Sequence, residues 1–257
     1  MGEIAILGCG PAGLLAAWAA HEQGFIPDII SQKVKSEIPG SQRLHQKIPG
    51  VTPDYPDSVA QVIRLGTAEG YAEKVYGDPA RYTGWPHYDT IYNSWNVYTA
   101  YDKLWAFFEN RISDHTVMPN NLTEILNGYD LVLSTLPMPT LCHRGHNFEA
   151  VPFWIKTLPT PQIDMGREIY VYNGLPLDSW YRWSILGGKT SIEGAWAPPV
   201  GAEVGQKAID NDCDCWPGMV RLGRWAQWKH GILMHDAYLG AIEAITHTKI
   251  GVSVADI

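Results

Sequence analysis

The chain has 257 residues, of which 46% are hydrophobic and 18% are charged, and its formal net charge is -8. This globular composition suits a nucleotide-binding domain with a small insert, but the length excludes two full dinucleotide-binding domains plus a separate substrate domain. The acidic balance argues against tight DNA binding. The sequence contains no run of about 18 apolar residues, which a membrane-spanning helix would need. Because a strand is expected directly after the first residues, we expect no signal peptide and a cytoplasmic protein.

The amino-terminal segment predicts a strand at residues 4–7, a glycine-rich loop, a helix at residues 14–23 and a parallel strand at residues 25–31. In a G-x-G-x-x-G loop the first glycine permits a tight turn and the second lets a pyrophosphate approach the backbone. The third allows close packing of helix and strand, and free amides at the helix start hold the phosphates. We therefore predict a dinucleotide site formed by Gly8, Gly10, Pro11, Ala12 and Gly13.

Helical patterns dominate the segment after the second strand. Residues 58–77 and 97–112 show helical spacing of apolar side chains, and they predict a helical insert over residues 51–114. A further helix is expected at residues 122–126. Residues 130–135 predict a short buried strand, because they are apolar and are followed by prolines.

The carboxyl-terminal half predicts β structure followed by one helix. Strand-like segments separated by turn residues are typical of an antiparallel sheet, and they lie at residues 169–172, 180–186 and 190–196. Residues 201–214 are polar and predict irregular or partly helical structure. A short strand is expected at residues 220–222, and a final helix at residues 231–246.

Three parts of the chain, in order, carry a resemblance to a known group of proteins. The form G-x-G-P-A-G at residues 8–13 resembles the amino-terminal FAD fingerprint of flavoproteins that include amine oxidases and UDP-galactopyranose mutases. Residues 130–137 (DLVLSTLP) resemble the late strand that returns to the nucleotide domain in that group. Residues 223–228 (GRWAQW) and 231–237 (GILMHDA) resemble its closing motif.

The resemblance implies bound FAD and an α/β fold, with a Rossmann-type FAD-binding domain, a helical insert and an antiparallel β substrate subdomain. It implies a discontinuous FAD-binding domain at residues 1–50, 115–145 and 215–257, the insert at 51–114 and the substrate subdomain at 146–214. In the group the last helix points its N-terminus at the flavin, where its dipole suits the negative charge of reduced flavin. This implies cofactor contacts from Gly223, Arg224, Gly231, Ile232 and Leu233.

One position departs from the pattern of the group, which usually ends its second strand with a glutamate that binds the adenosine ribose. Here Ser31 and Gln32 stand at that place, and we expect one of them to contact the ribose. NADP stays an alternative, because the nearby Lys33 and Lys35 could meet a 2′-phosphate. Residues 40–45 lie where the group places its second cofactor loop, which implies a pyrophosphate contact from Arg43 and a flavin-facing His45.

Candidate substrate residues come from the predicted sheet and from the closing motif. Tyr181 alternates with Arg182 along one strand, so the two side chains are expected on opposite faces. Arg182 and Glu193 are expected to form a surface ion pair across the Gly187-Gly188 turn. Trp225 and Trp228 flank the closing motif, and their rings are expected to pack against the flavin ring. We take His45, Tyr181 and Trp228 as the catalytic candidates.

The four cysteines are Cys9, Cys142, Cys213 and Cys215. Cys213 and Cys215 are one residue apart, without a second pair or a nearby histidine, which is poor spacing for zinc or a disulfide framework. His143 and His146 alone form a poor metal site. We therefore expect free thiols and no metal.

These observations predict an FAD-dependent oxidoreductase or lyase that oxidises or cleaves a C–N bond of an amine-type substrate, without efficient NAD(P)H oxidation. Three alternatives stay open: a non-redox flavoenzyme of mutase type, a flavin-binding module without turnover, and an FAD-dependent lyase of phage thymidine hypermodification. The partner is expected to be a small molecule or a modified nucleotide. The sequence does not predict an oligomeric state.

Overall fold

The computed structural model describes residues 2–81, 84–86, 91–159, 167–186 and 188–249. The chain groups into two compact units, which we call the first unit and the second unit. The first unit holds Met1–Glu37, Thr99–Glu149 and Asp210–Ile257, and the second holds Ile38–Tyr98 and Ala150–Ile209. The functional domains predicted from the sequence stay a prediction.

Short strands and helices alternate along the chain. The strands are β1 (Ile4–Leu7), β2 (Asp28–Ser31), β3 (Arg43–Leu44), β4 (Ser58–Gly66), β5 (Ile91–Asn96), β6 (Ile112–Asp114), β7 (Leu131–Ser134), β8 (Phe148–Leu158), β9 (Arg167–Gly174), β10 (Trp180–Leu186), β11 (Lys189–Gly194), β12 (Glu203–Asn211) and β13 (Met219–Arg221). The α-helices are α1 (Pro11–Glu22), α2 (Ala68–Tyr76), α3 (Val97–Phe108), α4 (Pro119–Gly128), α5 (Met138–Leu141), α6 (Gly223–Gln227) and α7 (Asp236–Lys249). Within the described ranges, every helix is too short or too polar to cross a bilayer.

The first unit is built on a parallel sheet, whose order in the described chain is β13-β7-β1-β2-β6. All four residues of β1 are buried, as is typical of a parallel strand covered on both faces. On one side α1 packs against α7, where the Tyr238 hydroxyl donates to Glu22 Oε2 at 2.6 Å. The chain passes from β1 to β2 on one side and returns at β7 on the other, so the strand order reverses beside β1.

The second unit is built on a mixed sheet, whose order in the described chain is β12-β8-β11-β10-β9-β4-β5-β3. Strands β8 to β11 pair antiparallel, which confirms the predicted antiparallel sheet. The sequence did not predict that β4 pairs with β9 in parallel. Helix α2 packs on β9 and β10, and the core between the helix and the sheet contains Ala60, Val62, Tyr71, Tyr170, Tyr172 and Tyr181.

Two predicted segments have a different structure. Residues 58–77 were predicted as helical, but they form β4 and then α2, because Ala60 and Val62 alternate with exposed neighbours at the period of a strand. Residues 201–214, predicted to be irregular or partly helical, contain β12, in which Ala208 and Ile209 are buried. The remaining predicted strands, and the helix at residues 122–126, are confirmed within a few residues.

The change from β4 to α2 is fixed by Gly66, with a φ of 75°, and by a helix cap at Thr67. The exposed Thr67 side chain accepts a hydrogen bond from the Gly70 amide at 3.0 Å. We predict that Thr67→Ala lowers the free energy of unfolding by about 1 kcal/mol, because the amide loses its partner. Thr67→Ser keeps the cap oxygen and should stay close to the parent in urea unfolding. An equal loss for both variants would contradict the cap assignment.

Candidate functional site

The glycine loop of the first unit lies at the carboxyl edge of the parallel sheet, directly after β1. The Gly8 amide donates to the Ile30 carbonyl of β2 at 3.0 Å. On the other side, the Leu7 carbonyl accepts from the Thr135 amide at 2.9 Å and from its hydroxyl at 3.1 Å. The loop therefore lies where the strand order reverses, which is the usual ligand position in open α/β sheets.

The three glycines of the loop differ in what a side chain at each position would contact. Gly8 has a φ of 104°, and a Cβ there would lie 2.6 Å from Thr135 Oγ1. A Cβ on Gly13 would lie 2.0 Å from the Gly8 carbonyl oxygen, so helix and strand can pack only if residue 13 is glycine. A Cβ on Gly10 would meet only Ser36 Oγ, at 3.7 Å. The fold itself therefore requires Gly8 and Gly13, whereas the space in front of Gly10 is open to a ligand.

The start of α1 faces this open space. Gly10 is the N-cap residue in an extended conformation, with φ -66° and ψ 176°, and Pro11 follows as the first helical residue. No side chain of the described residues caps this end, and its first turn holds no acidic residue. The amides of Ala12 and Gly13 lack carbonyl partners inside the helix, and the helix dipole adds positive potential. This end of α1 fits a phosphate or pyrophosphate group.

A buried tyrosine holds the loop in place. The Tyr101 hydroxyl donates to the Cys9 carbonyl at 3.0 Å and accepts from the Ser36 amide at 3.1 Å. Burial raises the pKa of Tyr101, so the hydroxyl stays a donor at neutral pH. The apolar spacing of residues 97–112 predicted a helix, but helical spacing alone does not identify a hydroxyl that contacts the glycine loop.

The end of β2 carries the residues predicted to bind the adenosine ribose. Ser31 is buried, and Gln32 is exposed, with its Nε2 donating to Thr116 Oγ1 at 3.1 Å. Lys35, the candidate partner for a 2′-phosphate, instead pairs with Asp102 at 2.7 Å. The ribose contacts of Ser31 and Gln32 stay a prediction.

The predicted closing segment returns to the glycine loop within the first unit. The Leu222 amide donates to the Ser134 carbonyl at 2.8 Å, which places α6 after the edge strand β13. Gly223 has a φ of 78°, and a Cβ there would lie 3.3 Å from the Ala12 Cβ. Gly223 is therefore next to the start of α1, as expected for a cofactor-binding segment. Arg224 Nη2 donates to the Ile232 carbonyl at 3.2 Å and holds the following loop.

The final helix begins later than predicted. The sequence predicted a start at Gly231, but α7 begins at Asp236, after turns at residue 231 and at residues 234–235. The cause is Asp236 itself, whose Oδ2 accepts the Leu233 amide at 2.6 Å, while Gly231 has a φ of 86°. The Leu233 amide thus has a partner inside the protein. Contacts of Gly231, Ile232 and Leu233 with a flavin stay a prediction.

The two tryptophans of the closing segment differ in exposure. Trp228 is 8% exposed and adopts a left-handed conformation with φ 46° at the end of α6. Its Nε1 donates to the Glu149 carbonyl at 2.9 Å, and its ring packs edge-on against Phe148. Trp225 is 43% exposed and lies against Trp228, with 5.4 Å between ring centroids. Trp225 therefore offers the free aromatic surface, whereas Trp228 supports it.

In the second unit, His45 and Arg43 lie on and after the short strand β3. The His45 ring stacks on Tyr92, with 5.0 Å between centroids and 9° between planes, and Tyr92 stacks in turn on Tyr170. Arg43 is buried and ion-paired with Glu168. Its predicted pyrophosphate contact and the predicted flavin contact of His45 stay predictions.

Tyr181 lies inside the core of the second unit. It is 2% exposed, and its hydroxyl accepts from Lys207 Nζ at 2.7 Å and donates to Glu193 Oε2 at 3.3 Å. Burial raises the pKa of Tyr181 well above its usual value. These contacts describe a residue that positions Lys207 and Glu193, and a catalytic role for Tyr181 stays a prediction.

Arg182 and Glu193 are directly opposed on β10 and β11, as predicted, and they form an ion pair. Their expected position at the surface is wrong, because the side chains are only 22% and 7% exposed. The pair lies beside the buried Tyr181, whose hydroxyl donates to Glu193 Oε2 at 3.3 Å, so Glu193 faces the core of the second unit. Gly187 of the predicted turn lies outside the described residues.

The structure thus brings together the first-unit candidates Gly8, Gly10, Pro11, Ala12, Gly13, Ser31 and Gly223 at one edge of the parallel sheet. His45, Arg43 and Tyr181 belong to the second unit, and their contact with the same ligand stays a prediction. Sequence reasoning missed Tyr101 and Thr135 as residues that contact the glycine loop. The strand motif at residues 130–137 contained Thr135, and its place after a buried strand was the available signal.

Solved structures of flavoproteins share this architecture. A reduced UDP-galactopyranose mutase aligns over 97% of this chain and 94% of its own, with a TM-score of 0.55 and 11% identity. A variant of 2-methyl-3-hydroxypyridine-5-carboxylic acid oxygenase aligns over 100% and 85%, with a TM-score of 0.56 and 12% identity. CtdE, solved in complex with FAD, aligns over 98% and 85%, with a TM-score of 0.52 and 12% identity.

Models of known protein families and curated protein sequences give no match to this chain. The likeness in structure, at 11% to 12% identity, establishes the fold. It confirms the predicted α/β class and the resemblance to flavoproteins of the mutase type at the level of the fold.

Because a side chain would overlap the backbone at Gly13 but not at Gly10, substitutions at the two positions should affect stability differently. We predict that Gly13→Ala lowers the free energy of unfolding by about 1–3 kcal/mol or more, because the new methyl group overlaps the Gly8 carbonyl oxygen. Gly10→Ala should change it by less than about 0.5 kcal/mol, since its methyl group enters open space. Urea unfolding without added nucleotide measures both. Equal effects of the two variants would show that the loop is packed differently.

Proposed function

We propose that this chain binds FAD at the glycine loop and acts as an FAD-dependent enzyme. The observation that carries the proposal is the contrast between Gly13, which the fold requires, and Gly10, which the packing of the chain does not require. A small residue at position 10 is explained when a pyrophosphate approaches the backbone there. The shared architecture of the flavoenzymes supports the same cofactor.

The residues of the first unit fit the parts of FAD. The amides of Ala12 and Gly13 would hold the pyrophosphate at the positive end of α1, with Gly10 allowing close approach. Ser31 and Gln32 would bind the adenosine ribose at the end of β2. Gly223 gives the closing segment access to the same edge. When bound, the flavin supplies two-electron chemistry, which protein side chains alone do not provide.

Two features favour FAD over NADP. One of the two lysines that could meet a 2′-phosphate, Lys35, is paired with Asp102 at 2.7 Å. The closing segment at Gly223 and Arg224 returns to the glycine loop, as in the flavoproteins that the sequence resembles. An ion pair on the surface contributes little energy, so the closing segment is the stronger of the two arguments.

We predict that the purified protein is yellow and that heat denaturation releases FAD, identified by chromatography. Gly10→Val should abolish flavin binding, because its branched side chain fills the space for the pyrophosphate. Gly128→Val is the matched control, since Gly128 has open space around it at the end of α4 and should keep its flavin. Circular dichroism checks the fold of both variants. A colourless parent protein that does not bind added FAD but binds NADP in a calorimetric titration would contradict the proposal.

We further propose that the substrate is an amine whose C–N bond is oxidised or cleaved. The resemblance to amine oxidases supports this chemistry. The aromatic face of the His45–Tyr92 stack suits a cationic or apolar amine. Among the three catalytic candidates, His45 keeps a partly exposed ring with nitrogens that can hold or move a proton, whereas Tyr181 and Trp228 are buried.

We predict that an amine bleaches the flavin under anaerobic conditions, whereas NADPH does not do so rapidly. His45→Phe should slow this reduction by about 10²-fold, because the ring still stacks on Tyr92 but cannot transfer a proton. The flavin content of the variant serves as its control. An unchanged rate would remove His45 from the mechanism.

The other outcomes of the same substrate panel separate the alternatives. Rapid bleaching by NADPH contradicts the proposed reductant. Turnover of a sugar nucleotide only after chemical reduction of the flavin indicates mutase chemistry. Cleavage of an amino-acid-decorated thymidine without net flavin reduction indicates a lyase of thymidine hypermodification. Flavin binding without any turnover indicates a binding module.

A further inference from the structure

Three cysteines and one histidine converge beside β13 in the first unit. Cys142 follows α5, His146 lies in the loop before β8, and Cys213 and Cys215 lie in the loop between β12 and β13. Their ligand atoms all lie within 4.8 Å of one another. Two thiols, Cys142 Sγ and Cys215 Sγ, lie 3.3 Å and 3.5 Å from His146 Nδ1, and they lie 4.0 Å from each other. The proposed flavin chemistry uses none of these groups.

These distances fit four ligands around a single metal ion. With Zn–S bonds of about 2.3 Å and Zn–N bonds of about 2.0–2.1 Å, a tetrahedral site places its ligand atoms about 3.5–3.8 Å apart. A disulfide between Cys142 and Cys215 would need a separation of about 2.05 Å between the sulfur atoms. It would also leave Cys213 and His146 without a reason to converge on the same point.

We propose that Cys142, His146, Cys213 and Cys215 bind one structural Zn²⁺ ion. Thiolates with imidazole in a tetrahedral arrangement select zinc or iron–sulfur centres among the common metals. A two-iron cluster would spread the ligands over two metal ions, whereas these four ligand atoms all lie within 4.8 Å of one another. Four protein ligands leave no open coordination position, which is the pattern of a structural site.

Neighbouring side chains complete a second layer around the four ligands. His146 Nε2 lies 3.1 Å from Asp214 Oδ1, which leaves Nδ1 directed at the thiols, as in carboxylate–histidine–zinc arrangements. Arg221 donates to the carbonyl oxygens of Cys213 at 2.8 Å and of Cys215 at 2.6 Å. Three thiolates and Zn²⁺ carry one net negative charge, and the Arg221 guanidinium balances it.

The site would hold two loops together inside the first unit. Cys213 and Cys215 are 8% and 1% exposed and pack against Met219 in the core. The Trp216 indole already ties these loops by donating to the Leu141 carbonyl at 2.7 Å. The Cys213 and Cys215 loop enters β13 at its amino end, whereas the glycine loop lies at the carboxyl edge. The proposal of a zinc site therefore does not rest on the proposed function.

Metal analysis of the purified, tag-free protein tests the proposal. We expect one zinc per chain by elemental analysis, and a matching mass for chain plus zinc by native mass spectrometry. Removal of zinc with a chelator should lower the melting temperature, and added Zn²⁺ should restore it, because a metal bound only by the folded state stabilises that state. A folded protein that holds no stoichiometric metal, even after reconstitution with Zn²⁺ under reducing conditions, overturns the proposal.

Two ligand variants and one matched variant sharpen the test. Cys215→Ser and His146→Ala should each lose stoichiometric zinc, whereas Cys9→Ser should keep it, because Cys9 lies in the glycine loop and donates to the Gln32 carbonyl. If a ligand variant fails to fold, alkylation of the parent protein tests whether its cluster thiols are bound to zinc. The three cluster thiols should react only after zinc is removed. Full zinc in both ligand variants, or iron with inorganic sulfide in the parent, would overturn the assignment.

Discussion

The close approach of α1 to β1 is the contact on which the candidate site depends. The Gly13 backbone lies against the Gly8 carbonyl so closely that any side chain at residue 13 would overlap it. This contact directs the first turn of α1, and therefore its free amides and positive dipole end, at the carboxyl edge of the parallel sheet. Beside this contact the space in front of Gly10 stays open, since a Cβ there would meet only Ser36 Oγ, at 3.7 Å.

The rest of the first unit supports that edge from segments far apart in sequence. Tyr101 on α3 holds the loop through the Cys9 carbonyl, and Thr135 after β7 holds the end of β1. Strand β13 leads to Gly223 beside the start of α1. The proposed zinc site precedes β13, so a metal there would stabilise the strand that delivers the closing segment. The proposed cofactor and the proposed metal would thus both be held by segments that adjoin the same sheet.

Sequence patterns predicted most of the strands and helices, but they missed side-chain contacts, both local and distant in sequence, that only the folded chain shows. The β1–α1–β2 unit and the antiparallel strands were predictable from glycine spacing and apolar alternation. The helix start at Asp236 was not, since a side-chain contact with the Leu233 amide decides it. The four cysteines were interpreted as free thiols, because neither the Cys213–Cys215 pair nor the His143–His146 pair has the spacing of a metal site by itself. Only the fold brings Cys142 and His146 to the other two cysteines.

A crystal structure of the purified protein grown with FAD would show directly whether the glycine loop holds the cofactor. We expect electron density for the pyrophosphate against the backbone of Gly10, Ala12 and Gly13, with the adenosine at the end of β2. Gly223 should lie beside the same ligand. Density for FAD at another place on the chain, or a glycine loop in which a protein side chain fills the space at Gly10, would contradict this expectation.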